Sequence, residues 1–218
     1  MFRTLDPQRI IGTLAKLEIR IEERFASAGL VWVCRELRVI AESSFARIEA
    51  IGRPNILLRV GVAAVVLIAL FLLGAVLSII EFRGGAENLS GLLQGIEAFI
   101  SILVFAGAGV FFLVTLEQRL KRRNALADLH ELRSIAHVID MHQLTKDPER
   151  HFGTTFQQMP SSPARTLSPF RLRRYLDYCS EMLSLVAKIG AVYAQDFEDP
   201  IVLSAVSDLE TLTSSLSS

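Results

Sequence analysis

The apolar positions of this chain follow two patterns, one continuous and one periodic. Val60 to Ile80, VGVAAVVLIALFLLGAVLSII, carries no charge over 21 residues, and Ala98 to Leu116, AFISILVFAGAGVFFLVTL, carries none over 19. A helix rising ~1.5 Å per residue needs about 20 apolar residues to cross a hydrocarbon core of ~30 Å. Both runs meet that length. They predict transmembrane helices over 56–80 and 95–117, joined by an external loop over 81–94. The first run begins too far inside the chain for a cleavable signal peptide.

The rest of the chain is amphipathic. Residues 1–53 predict a helical pair. Asp6-Pro7 supplies a capping carboxylate and a first-turn proline, and Ile10, Leu14, Leu17 and Ile21 recur at helical spacing. Ser27-Ala28-Gly29 marks a break. Leu30, Val33, Cys34, Leu37, Ile40 and Ala41 resume the period until Gly52-Arg53-Pro54. This stripe carries Glu18, Glu22, Glu23, Glu36 and Glu42 among its polar positions. Helices that lie on membranes are usually basic, so the pattern favours packing on other helices.

No helix breaker follows the second apolar run until Pro148, so residues 118–145 are expected to extend it as one helix of about fifty residues, ~75 Å long. Residues 146–168 hold Pro148, Gly153, Pro160 and Pro163 and read as a loop. Residues 169–218 predict a helical hairpin, opened by Ser168-Pro169 and again by Asp199-Pro200. Leu172, Leu176, Cys179, Leu183, Val186 and Tyr193 form a coiled-coil-like seam for a partner helix. Val202, Ala205, Val206, Leu209, Leu212 and Leu216 form the apolar side of the last helix. The predicted fold is an all-α membrane protein: a two-helix transmembrane hairpin with a cytosolic helical bundle formed by both termini.

Charge gives the direction. Arg47, Arg53 and Arg59 precede the first run, Arg119, Lys121, Arg122 and Arg123 follow the second, and the connection holds only Arg83. Positive flanks stay inside, which puts both termini in the cytoplasm of a multi-pass protein. Composition adds little more. With 23 basic and 23 acidic residues among 218 there is no net field, and the dispersed basic residues do not suggest nucleic acid. The mean hydropathy of +0.40 is high for a soluble protein. Cys34 and Cys179 stand apart within helical patterns and read as reduced, packed thiols. Gly74, Ala75 and Ser78 in the first run, with Ala98 and Ser101 in the second, would let the hairpin close tightly at its outer end. Ala106-Gly107-Ala108-Gly109 offers a helix contact within the chain or between protomers.

The candidate chemistry lies in LHELRSIAHVIDMHQLTKDPERH, residues 129–151, which holds all four histidines of the chain. On a helix, Leu132, Ile135, Ala136 and Ile139 take the core side, and His130, Ser134, His137 and Met141 the opposite one, beside Arg133 and Asp140. His130 and His137 stand ~10.5 Å apart along the axis, too far to share an ion at ~2 Å bonds. His137 and Asp140, with His151, are the candidate metal ligands. His137 with Asp140 also resembles an oriented base, yet no nucleophile elbow, glycine-rich phosphate loop or carboxylate pair accompanies it. The alternatives are a pH-sensing row and a polar face bonded to acidic residues of neighbouring helices.

DLHELRSIAHVIDMHQLTKDPE, RYLDYCSEMLSLVAKIGAVYAQ and DPIVLSAVSDLE together resemble a group of uncharacterised bacterial inner-membrane proteins with two spans, over roughly Asp128 to Glu210. The resemblance implies a bacterial inner membrane and makes the histidine helix and the last two helices one recurring module. It carries no activity. The expected function is therefore non-enzymatic: a membrane scaffold or signalling component, without cofactor, that associates with itself or with another protein. Its expected interaction surface is His130, Ser134, His137 and Asp140 together with Leu172, Leu176, Cys179, Leu183 and Val186. The alternatives are a small oligomeric channel or transporter subunit with Ser78, Ser101 and Thr115 facing a pore, and a metal-binding sensor or enzyme at the histidines.

Overall fold

A computed structural model describes residues 4–26, 28–52, 56–82, 89–145 and 167–217 of the chain. Six helices fill these residues, with no strand among them: α1 Pro7–Phe25, α2 Gly29–Gly52, α3 Ile56–Phe82, α4 Leu89–Leu144, α5 Pro169–Asp196 and α6 Pro200–Leu216. Two compact units emerge. One comprises Met1–Gly52 with Arg122–Ser218, the other Arg53–Lys121.

Local chemistry explains where three helices begin. Each opens on a capping side chain followed by proline, whose missing N–H falls where no intrahelical partner exists. Asp6 accepts from the Gln8 amide at 2.9 Å, Ser168 from that of Arg171 at 3.4 Å, and Asp199 from those of Ile201 and Val202 at 3.0 and 3.3 Å. Phe25 closes α1, where its carbonyl accepts from the Ala28 amide at 2.8 Å.

The bundle unit contains α1, α2, the latter part of α4, α5 and α6. Helix α5 is its hub and packs on α1, α2 and α6. Leu14, Leu17 and Ile21 of α1, Leu30, Cys34 and Leu37 of α2, and Leu132, Ala136 and Ile139 of α4 are all buried in one core with the inward face of α5. Phe25 sits between two tyrosines edge-to-face, its ring centroid 5.5 Å from Tyr175 and 6.2 Å from Tyr178. Such pairs add about 0.5–1.5 kcal/mol beyond the area they bury. At Gly190 of α5, an added Cβ would meet Leu209 Cδ2 of α6 at 2.8 Å, so the absent side chain sets how closely these helices approach.

The second unit contains α3 and the first part of α4, both long and apolar enough to cross a membrane. Apolar side chains cover its outside: Phe71 is 76 % exposed, Phe105 78 % and Phe111 73 %. Helix α4 begins at Leu89 rather than 95, so part of the expected external loop is helical. Gly91 falls in the expected loop, but Leu93 and Ile96 continue an apolar helical period through it. A Cβ added at Gly61 would touch Leu113 and one at Gly109 would touch Val65, at 3.6 and 3.5 Å, whereas one at Gly74 or Gly107 would meet no neighbouring helix within 4 Å. Gly107 is two residues from Gly109, ~200° around the helix, and so faces away. The Ser78 and Thr115 hydroxyls donate to the carbonyls of Ala75 and Phe111 at 2.9 and 2.7 Å, within their own helices. That is how hydroxyls are satisfied in apolar helices without a partner.

Candidate interaction surface and buried ion clusters

Helix α4 carries the histidines past the core with one face inward and one outward. Leu132, Ile135, Ala136 and Ile139 are buried, while His130, Ser134 and His137 are exposed and Asp140 is half-buried. Ser134 donates back to the His130 carbonyl at 3.0 Å. The row therefore faces solvent rather than acidic residues of neighbouring helices. Val138, Met141 and Leu144 extend it as an exposed apolar edge, with Met141 65 % and Leu144 71 % exposed. Among the described residues no group of three or more His, Cys, Asp or Glu side chains could hold a metal ion. His151 and most of the 146–168 loop lie outside the described residues, as do Arg53 and Arg83.

His142 differs from the other histidines of this helix. Its Nδ1 lies 3.3 Å from the Tyr175 hydroxyl of α5, and its Cε1 would be 3.0 Å from a Cβ at Gly29 of α2. It thus fills the junction of three helices.

The seam on α5 is occupied from within the chain. Leu172, Cys179, Leu183 and Val186 are buried in the bundle core and only Leu176 is half-buried. Four of the five seam positions expected to receive a partner are therefore closed to one. The period that marks a helical interface is the same whether the facing helix belongs to another chain or to this one.

Ionic clusters that the sequence reading did not single out join the helices. In the first, Arg47 Nε of α2 lies 2.7 Å from Asp128 Oδ1 of α4, and the Tyr193 hydroxyl of α5 donates to Asp128 Oδ2 at 2.8 Å. Arg47 also reaches Glu131 at 3.2 Å. Asp128 is buried, so its charge needs both partners. Burial pulls the Arg47 guanidinium down, but Asp128 outweighs it and raises Arg47 above its ordinary value. Burial likewise raises the Tyr193 phenol, and its bond to Asp128 adds to the rise.

In the second cluster, Glu18 of α1 accepts from Arg35 Nε at 2.8 Å and from Arg38 Nε at 3.0 Å, both of α2. Arg38 also holds Glu42 at 2.8 Å. Burial raises the Glu18 carboxyl, but the two arginine bonds outweigh it and leave the group below the usual carboxylate range. Burial, with Glu18 nearby, pushes the Cys34 thiol up to about 12. In the third, Arg122 of α4 grips Asp199 Oδ2 through Nε at 2.8 Å and Nη2 at 2.7 Å. Burial opposes the charge on Asp199, but Arg122 and then the capped amides of Val202 and Ile201 hold its carboxyl low.

One signal could have found two of these clusters. Glu18 lies within the Leu14, Leu17, Ile21 stripe, and Asp128 lies beside Leu129 one turn before Leu132. An acidic residue on an apolar face calls for a cation from a facing helix. The clusters also change the reading of the basic flanks. Arg122 serves Asp199, and Lys121 pairs with Glu117 at 2.9 Å, so of the four cations that directly follow the second apolar run Arg119 and Arg123 stay exposed. On the outside of α2, the Arg35 guanidinium stacks over Trp32 at 4.9 Å, with Trp32 69 % exposed.

Comparison with protein-family models, curated proteins and solved structures finds no match to this chain.

Proposed function

We propose that this chain is a non-enzymatic scaffold or signalling component of a bacterial inner membrane, anchored by α3 and the first part of α4, with both termini in the cytoplasm. One observation carries the reading: residues before and after the apolar pair fold into a single bundle. The Leu5 amide donates to Gln195 Oε1 at 2.7 Å, and Arg20 pairs with Glu181 at 2.8 Å. A chain whose two ends share one bundle crosses a membrane an even number of times, and two apolar helices supply two crossings. The exposed phenylalanines of the apolar pair support burial in lipid, and the basic flanks support a cytoplasmic bundle. The resemblance to bacterial two-span proteins supports the inner membrane.

The bundle acts by helix association through the outward face of α4: His130, Ser134 and His137 as its polar row, Val138, Met141 and Leu144 as its apolar edge. Exposed aliphatic side chains beside hydrogen-bonding groups suit a helical partner, either a second copy or another protein. A photo-crosslinking residue at Met141 in cells tests this. The reading predicts an adduct of one defined mass from Met141 and none from Lys16, an exposed position of α1. Equal or absent crosslinking at both positions would overturn it.

A further inference from the structure

The apolar unit has uncompensated positive charge at one end. Gly61 meets Leu113 and Gly109 meets Val65, which fixes an antiparallel register in which the two residue numbers of each facing pair sum to about the same value. In that register Arg59 of α3 is level with Thr115 of α4, and Arg119 lies one turn further along, ~6 Å. Both guanidiniums are exposed, and neither has an ion pair or hydrogen bond among the described residues. Glu117, at the same end, is held by Lys121. Glu97 belongs to the opposite end of the pair, more than fifteen residues back along α4.

We infer that the Arg59–Arg119 end of this unit binds the headgroups of anionic phospholipid. The inference rests on the membrane reading above and adds a lipid class to it. Exposed Val60 and Leu120 flank the two arginines, so each guanidinium stands at the edge of an apolar surface. That is the depth of the phosphate layer when the surface is in hydrocarbon. Guanidinium and phosphate form charge-assisted bonds with matched fork geometry, and two free cations favour a lipid with net negative charge over a zwitterion. Each basic residue near an anionic surface contributes about 1 kcal/mol, or about fivefold.

The full chain in detergent, exchanged into micelles holding equal phosphatidylglycerol and phosphatidylcholine and read by native mass spectrometry, tests this. Phosphatidylglycerol should be retained in preference, and Arg59→Gln with Arg119→Gln should cut that preference about 25-fold. Arg59→Lys with Arg119→Lys should keep most of it. Inorganic phosphate at the same concentration should not displace the lipid. Equal retention of the two lipids, unchanged preference in the glutamine variant, or displacement by phosphate would overturn the inference. Alkaline carbonate extraction of the same proteins separates the two claims. A wild-type chain released from membranes removes the anchor and this inference together; a retained chain without lipid preference removes this inference alone.

Discussion

Single residues decide how tightly this bundle closes and how it responds to acid. Gly190 is the tightest of the described glycines, with Leu209 Cδ2 at 2.8 Å from any added Cβ and Leu209 itself buried. Gly190→Val forces Leu209 off its rotamer or parts α5 from α6, and overpacking of this kind costs about 1–3 kcal/mol. A lowered midpoint in thermal unfolding by circular dichroism should report it. Asp128 is the second such residue. Asp128→Asn weakens bonds to Arg47 and Tyr193, and bonds to charged groups are worth about 1.5–3 kcal/mol each. Tyr193→Phe removes one of those bonds. Because the two share a bond, the double variant should be less destabilised than the sum of the singles.

The acid response follows from Glu18 and Asp199, both held below the carboxylate range. A depressed carboxyl stabilises the fold above its unfolded value, about 4, and the contribution disappears as pH falls through the lower folded value. Stability should therefore drop on acidification below about pH 4. In Arg122→Gln the part due to Asp199 should flatten, which denaturant titrations at pH 7 and pH 3 would show. Glu18 and Asp128 were legible in the sequence as acidic residues on apolar faces. Their partners, Arg35 and Arg38 for Glu18 and Arg47 for Asp128, were not, because they look like ordinary exposed cations until the facing helices are in place.

At the scale of helices, local grammar carried most of the information. The three X-Pro caps at Asp6, Ser168 and Asp199 each begin a helix where proline requires it. The breaker-free stretch after the second apolar run is one helix through Leu144. Two features of the apolar pair and the seam were less legible. The loop expected over 81–94 gives way to helix from Leu89, because the apolar spacing of Leu93 and Ile96 prevails over the weak helix propensity of Gly91. The α5 seam faces the chain's own core instead of a partner, since periodicity shows that a face is apolar but not which chain covers it. Leu183 shows the consequence. Leu183→Asp buries a carboxylate without a cation, at a site with no exposure. It should unfold the bundle, seen as lost helical signal and protease sensitivity. Loss of assembly with the bundle still protected would mean that this face is covered by another chain. Asp199→Ala removes both the cap and the Arg122 pair, and should cost more than the ~1 kcal/mol of an ordinary cap.

Helices α1, α2, α5 and α6 and the latter part of α4 form one bundle around buried tyrosines, and the chain between them carries two helices clad in exposed apolar side chains. The proposed anchor, cytoplasmic bundle and outward α4 face all depend on those two helices crossing a bilayer together. Single cysteines at Lys16 and Asp208, exposed positions of α1 and α6, give the most direct measurement. Native background is low, since Cys34 and Cys179 are buried and the Cys34 thiol is pushed up to about 12. With a membrane-impermeant maleimide, both introduced cysteines should label in inverted inner-membrane vesicles and neither in intact spheroplasts. Labelling of either one in spheroplasts, or recovery of the chain in the soluble fraction without detergent, would contradict the account.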